Sequence, residues 1–372
     1  MATTENAPGE AQQERPSGYR LIDCDIHHML PSQATLMSYL SARWQRYHER
    51  FGPRRLLETQ YWVTGTHVLA ARVDAFPPSG LPPGSDLDFM RAQLLDEWGI
   101  EYGILNVSEV FMFGTQPGEY GAALIRAVNE FTAAEWLDPE PRLRAAVAIT
   151  ADNPDAAVAE IERWADDPRF VQVLMTLRNE APMGDRKYWP IYRAAAAAGL
   201  PIAVHVGGIN GHPPGGGGWH SYYFEMHAGH VQPYQAHTAS LTLSGVFDAI
   251  PSLKIVFVEG GFSWIVPLSW RLDRLARTLR EEIPALQRLP SEYIREHFWY
   301  TTQPIEEPDR DEQFHTMVAA LDLHDRLLFA TDYPHWDFDA PDRALPRSLT
   351  DEVRRKIFSG NAIALYGLPL AP

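Results

Sequence analysis

Cysteine is almost missing from this chain of 372 residues: Cys24 stands alone. No intrachain disulfide is available, so a reducing cytosol is the expected setting. Basic charge is also scarce, with 32 Lys and Arg against 48 Asp and Glu and a formal net charge of −16. Without a stripe of cations to neutralise phosphates, nucleic acid is excluded as a partner. No apolar run approaches the roughly 20 residues that span a bilayer, which excludes a membrane helix. The first 18 residues, MATTENAPGEAQQERPSG, lack the apolar stretch of a signal peptide and read as a flexible polar tail. The GGGG run at 215–218 has no Lys-Ser/Thr after it, so it is no phosphate cradle, and no G-x-S-x-G elbow offers a serine nucleophile.

Apolar material, by contrast, is plentiful: the chain is 45% hydrophobic and 11% aromatic, enough for one large core. Eight short apolar runs recur along it. They are YRLIDCDIH (19–27), YGILNV (102–107), LRAAVAIT (143–150), FVQVLM (170–175), PIAVHV (201–206), LKIVFVE (253–259), FWYTT (298–302) and LLFATD (327–332). Segments of helical period follow them. Met90, Leu94 and Trp98 precede Gly99, Asn153 and Pro154 form a helix start, and Trp189, Tyr192 and Ala196 share a stripe that Gly199 ends. Eight alternating units predict an α/β fold, a (β/α)8 TIM barrel forming a single domain over 19–368. Residues 28–88 and 207–235 break the alternation as long loops after strands 1 and 5. Both fall on the strand-to-helix side, where barrel enzymes keep their sites, and are expected to serve as lids or insertions.

That same side collects ionisable residues. Asp25 and His27 close the first run, His205 the fifth, Glu259 the sixth and Asp332 the eighth. Residues two apart on a strand point the same way, so Asp25 and His27 can both face the barrel axis, while His28 points away. Two imidazoles and two carboxylates on one rim make a ligand set for a divalent cation. Zn²⁺ is the expected ion, with Mn²⁺ the alternative.

The segments IDCDIH, YWPIYRAAAAAGLPIAVHVGG, LKIVFVEGGFSW, FATDYPH and FSGNAIALYGL, taken in this order from about Tyr19 to Leu368, resemble the amidohydrolase-related family. The similarity is to the branch containing aminocarboxymuconate-semialdehyde decarboxylase and γ-resorcylate decarboxylase. The resemblance implies a barrel with one divalent metal held by Asp25, His27, His205 and Asp332. Two positions depart from the pattern. Asp25 stands where the better-known decarboxylases have His or Glu, and Glu259 stands where they carry a catalytic His before the Gly pair. The proton-transfer role therefore falls to Glu259 or Asp332.

Further candidates surround this set. Arg178 could clamp a substrate carboxylate or form a surface ion pair; His237 could contact substrate or cap a helix; His335 could contact substrate or sit in a turn. Trp264, with Trp219, Tyr222, Tyr223 and Phe224, could wall the site or belong to the core. Glu259 could instead pair with Arg271 or Arg274. The histidines at 212, 220, 227 and 230 are too irregularly spaced for a second metal site of their own. The leading reading is a non-oxidative decarboxylase of a small aromatic or unsaturated acid, expected to be a homo-oligomer. The rivals are a metal-dependent hydrolase of an amide, ester, lactone or C–C bond, and a barrel that binds a ligand without turning it over.

Overall fold

Strands that are apolar on both faces must be covered by helices outside and by each other within. The computed structural model describes residues 18–53, 70–116, 118–208 and 215–369, and it shows that arrangement. The polar tail (1–17) and His212 lie outside the described residues. Eight strands run parallel in sequential order: β1 Leu21–His28, β2 Ile100–Val107, β3 Leu143–Ala148, β4 Phe170–Arg178, β5 Ile202–Gly208, β6 Ile255–Val258, β7 Phe298–Thr301 and β8 Leu327–Leu328. Each falls on one of the eight runs, and helices alternate with them, as the barrel expectation required.

Closure between β8 and β1 is made by the chain after β8. Cys24 N donates to Phe329 O at 2.9 Å, His27 N donates to Tyr333 O at 2.7 Å, and Ile26 bridges Tyr333 in parallel. Asp23 reinforces this seam from within. Its buried carboxylate accepts from Thr331 N at 3.0 Å, Thr331 Oγ1 at 2.5 Å and Asp25 N at 3.2 Å. Burial pushes the Asp23 carboxyl up to about 7, against the opposing effect of these hydrogen bonds.

The described parts of the two long loops pack against the rim. The first forms helices Gln33–Tyr39 and Ala42–Phe51 and then returns, with Met29 N donating to Gly84 O at 3.0 Å. Gly84 adopts φ +76°, and a Cβ there would lie 2.8 Å from the His27 carbonyl oxygen, so the position demands glycine. Ala71 pairs with His335 across the same rim. The second loop contains helix Tyr223–Gly229 and then helix Val231–Leu243, which begins at Val231 rather than near His237. Pro233 lies in its first turn, where no intrahelical N–H bond is needed, so the helix can start before it. Among the described residues, no helix is long and apolar enough to cross a membrane.

If the Asp23 seam closes the barrel, Thr331→Val should cost about 1–3 kcal/mol, because it leaves a buried carboxylate short of one donor. Urea unfolding measures this directly, and unchanged stability would remove Asp23 from the account of closure.

Candidate metal centre

Strand β1 presents Asp25 and His27 inward, and β5 presents His205 at the same height. The chain leaving β8 adds Asp332, and the turn after β6 adds Glu259. All five side chains are buried. Asp332 and Glu259 both adopt left-handed backbone, with φ of 60° and 57°. Such residues cost roughly 1–3 kcal/mol and persist only where surroundings enforce them. For Asp332 the enforcement is its own N–H, which donates to Asp25 O at 3.1 Å. For Glu259 it is a bond from its N–H to Thr301 Oγ1 at 3.0 Å. Gly260 follows because a Cβ there would press within 2.8 Å of the Tyr234 ring.

The ligand-capable atoms of Asp25, His27, His205 and Asp332 all lie within 4.8 Å of one another. His27 Nε2 and His205 Nε2 are 3.1 Å apart. His27 Nε2 is 3.5 Å from Asp25 Oδ1 and 3.2 Å from Asp332 Oδ1, and His205 Nε2 is 3.5 Å from Asp25 Oδ2. Metal–ligand bonds of 2.0–2.2 Å in a tetrahedral arrangement space neighbouring ligand atoms about 3.3–3.6 Å apart. The contacts thus resemble ligand atoms around a common cation more than a hydrogen-bonded cluster. Asp25 Oδ2, Asp332 Oδ2 and Glu259 Oε2 are buried without a hydrogen-bond donor among the described residues, as acceptors aimed at a cation would be. The four residues fit a divalent metal.

Electrostatics divide the carboxylates. Burial and the charge of Asp332 push Glu259 well above the ordinary range. Burial alone would raise Asp332 too, but His335 and His27 outweigh it and hold Asp332 below the ordinary range. Burial lowers His27. It would also lower His205 and His335, but Asp25 lifts the first and Asp332 the second, each to about 9. Burial thus favours the neutral form of Glu259, while the neighbouring carboxylates favour the charged form of His205 and His335.

The other candidates take distinct places. His335 stands against the cluster: its Nδ1 lies 2.7 Å from Asp332 Oδ1 and its ring 4.5 Å from that of His27. Arg178 ends β4 on the same rim, with Nε donating to Gly207 O at 3.4 Å. His237 has both ring nitrogens on backbone, with Nε2 2.7 Å from Leu177 O and Nδ1 accepting from Met183 N at 3.3 Å. Trp264 is buried behind the Glu259 turn and donates to Gly260 O at 2.8 Å. Glu259 faces His205 at 3.3 Å, whereas Arg271 and Arg274 are exposed. His28 points outward, 2.7 Å from Thr132 Oγ1. Trp219, Tyr222 and Phe224 are exposed and do not wall the site; the helix that begins at Tyr223 meets the rim through that residue, which accepts from Trp336 Nε1 at 2.9 Å. His227 meets Asp337 at 2.9 Å beside that contact.

A polar chain behind Asp25 has no counterpart among the sequence candidates. Asn106 on β2 donates to Asp25 Oδ1 at 2.8 Å, Gln172 on β4 donates to Asn106 Oδ1 at 3.0 Å, and Tyr366 OH donates to Gln172 Oε1 at 2.7 Å. The signal was present: each amide interrupts an otherwise apolar run, YGILNV and FVQVLM.

The chain belongs to the amidohydrolase family, whose model matches residues 22–368. It is 28% identical to the γ-resorcylate decarboxylase of Polaromonas sp. (strain JS666) over 305 residues, 76% of this chain and 88% of that one. With the γ-resorcylate decarboxylase of Rhizobium radiobacter it shares 26% over the same coverage. Among solved structures it resembles a manganese-bound dihydroxybenzoic acid decarboxylase from Polaromonas sp. JS666. The TM-score is 0.66 at 23% identity, covering 95% of this chain and 98% of that chain. It also resembles a manganese-bound 5-carboxyvanillate decarboxylase from Novosphingobium aromaticivorans, with a TM-score of 0.70 at 16% identity, over 96% of this chain and 100% of that chain. These structural likenesses bear on the fold.

If the amide chain orients Asp25 toward the metal, Asn106→Leu should weaken metal affinity about 10–100-fold with the fold retained. Calorimetric titration of the metal-free protein with Mn²⁺ checks this. An unchanged dissociation constant would reduce Asn106 to a packing residue.

Proposed function

We propose that this chain is a metal-dependent, non-oxidative decarboxylase of a small hydroxylated aromatic carboxylic acid. The observation that carries the reading is the buried cluster of Asp25, His27, His205 and Asp332 with Glu259 turned onto the same rim. Membership of the amidohydrolase family and likeness to the γ-resorcylate decarboxylases support it.

Asp25, His27, His205 and Asp332 would hold one divalent ion. The set is half carboxylate, and relatives of similar fold hold manganese, which favours Mn²⁺ over Zn²⁺. When bound, the ion supplies positive charge that fixes substrate oxygens and steadies developing negative charge. The chain's own residues do the rest. Glu259 keeps a proton in its buried setting. As the C–C bond breaks, its electron pair remains on the ring carbon, and Glu259 delivers the proton that replaces CO₂. Asp332 stays ionised and is steadied by His335. His335 and Arg178, at the rim, are placed to contact substrate. His237 acts from behind by fixing the β4 loop, and Trp264 by bracing the Glu259 turn. The segment 215–235, which meets Trp336 through Tyr223 and Asp337 through His227, would help to exclude water from that side of the site. A reducing cytosol and a homo-oligomeric state complete the proposal.

One observation favours a second reading, hydrolysis. An ionised Asp332 at the centre of the cluster could accept a proton from an attacking water, which would cleave an amide, ester, lactone or C–C bond. Incubation with hydroxybenzoates and cyclic esters, with CO₂ release and acid release followed separately, decides between the two. In the decarboxylase reading, Glu259→Gln should retain metal and melting temperature while kcat falls about 10²–10⁴-fold at little change in KM. Normal turnover in a destabilised variant would leave Glu259 a structural role only.

A further inference from the structure

Strands β5 and β6 diverge where two of the functional side chains emerge. Their last paired residues are His205 and Val258. Beyond this pair Glu259 enters left-handed backbone, and its N–H bonds Thr301 on β7. Gly207, two residues past His205, turns away with φ +116°. Buried carbonyls at such a fork need donors from outside the ladder.

A tyrosine from a neighbouring helix occupies the fork. Tyr234, on helix Val231–Leu243, is fully buried, and its hydroxyl donates to Val258 O while standing 3.5 Å from Val204 O. Those carbonyls belong to the residues immediately before Glu259 and His205. The ring fills the space above Gly260, where a Cβ would lie 2.8 Å from it, and packs edge-on against Phe257 at 5.0 Å. Its helix is anchored three residues later, where His237 Nε2 lies 2.7 Å from Leu177 O on β4. The path from this backbone to the metal centre is short. His205 Nδ1 donates to Val206 O at 2.9 Å, which leaves Nε2 facing the cluster, 3.1 Å from His27 Nε2 and 3.3 Å from Glu259 Oε2.

We propose that Tyr234 is a positioning residue for the metal centre: its hydroxyl fixes the end of β5 against the end of β6 and so sets where His205 meets the ion. This rests on the assignment of His205 as a ligand. Tyr234 touches neither the ligand atoms nor the rim, and acts through the backbone at 204–206 and 258–260. Without the hydroxyl the ring still fills its place in the core, but Val258 O loses its donor and the strand ends are free to drift. His205 then offers Nε2 in a spread of positions instead of one.

The test sets Tyr234→Phe beside Tyr293→Phe. Tyr293 is as deeply buried and its hydroxyl bonds Asp248 at 2.6 Å, but both lie on helices that lead into β6 and β7, at the opposite end of the barrel. Each metal-free protein, its fold checked by circular dichroism and its melting temperature recorded, is titrated calorimetrically with Mn²⁺ and then measured by electron paramagnetic resonance. Tyr234→Phe should bind Mn²⁺ about tenfold more weakly, as expected for loss of a group that orients a ligand, and should broaden the manganese lines. Tyr293→Phe should keep the wild-type dissociation constant and spectrum, whatever the change in its melting temperature. Wild-type affinity and line shape in Tyr234→Phe would overturn the proposal. So would equal weakening in both variants, since affinity would then follow stability alone. Failure of the underlying assignment looks different: there, His205→Ala would bind Mn²⁺ as tightly as the wild type.

Discussion

Three carboxylates and three imidazoles are packed into the C-terminal mouth of this barrel with almost no access to water, and the surrounding structure is arranged to hold them there. Burying ionised groups costs several kcal/mol each unless a counter-charge accompanies them. The polypeptide offers part of that counter-charge itself, by lifting the pKa values of His205 and His335 toward 9 beside Asp25 and Asp332. A divalent cation would supply it more directly and would replace those protons when it binds.

This constraint accounts for features that otherwise look unrelated. The strained backbone at Asp332 and Glu259 aims two carboxylates into one volume that a regular strand end could not reach. The Asp23–Thr331 seam fixes β1 against the chain after β8, so that Asp25, His27 and Asp332 keep their mutual spacing. The amides of Asn106 and Gln172 then hold Asp25 from below, backed by Tyr366 on the C-terminal helix. In the proposed centre, affinity for the ion would thereby be distributed over four strands and a terminal helix.

Much of this was legible in the sequence, for physical reasons. Apolar runs ending in Asp, His or Glu mark strands that deliver charge to one rim, and the period of two along IDCDIH separates Asp25 and His27 from the outward His28. The Glu259 turn and the Gly pair could be seen as a departure from the family pattern. Other roles were hidden because they depend on tertiary packing. His237 and Trp264 are residue types suited to a site, yet their polar atoms are spent on the backbone of neighbouring loops. The exposed aromatics at 219, 222 and 224 could not be told from a wall, since how this segment meets the rim is set by the Tyr223–Trp336 contact across the chain. The helix near His237 starts earlier, at Val231, and accommodates Pro233 within its first turn.

The account stands on one ion at one place, between β1, β5 and the chain leaving β8. Crystals grown with Mn²⁺ and measured at the manganese absorption edge locate it without reference to any substrate. The expected anomalous peak lies within bonding distance of Asp25, His27, His205 and Asp332. A fully ordered barrel mouth with no peak there, or with the strongest peak elsewhere on the molecule, would contradict it.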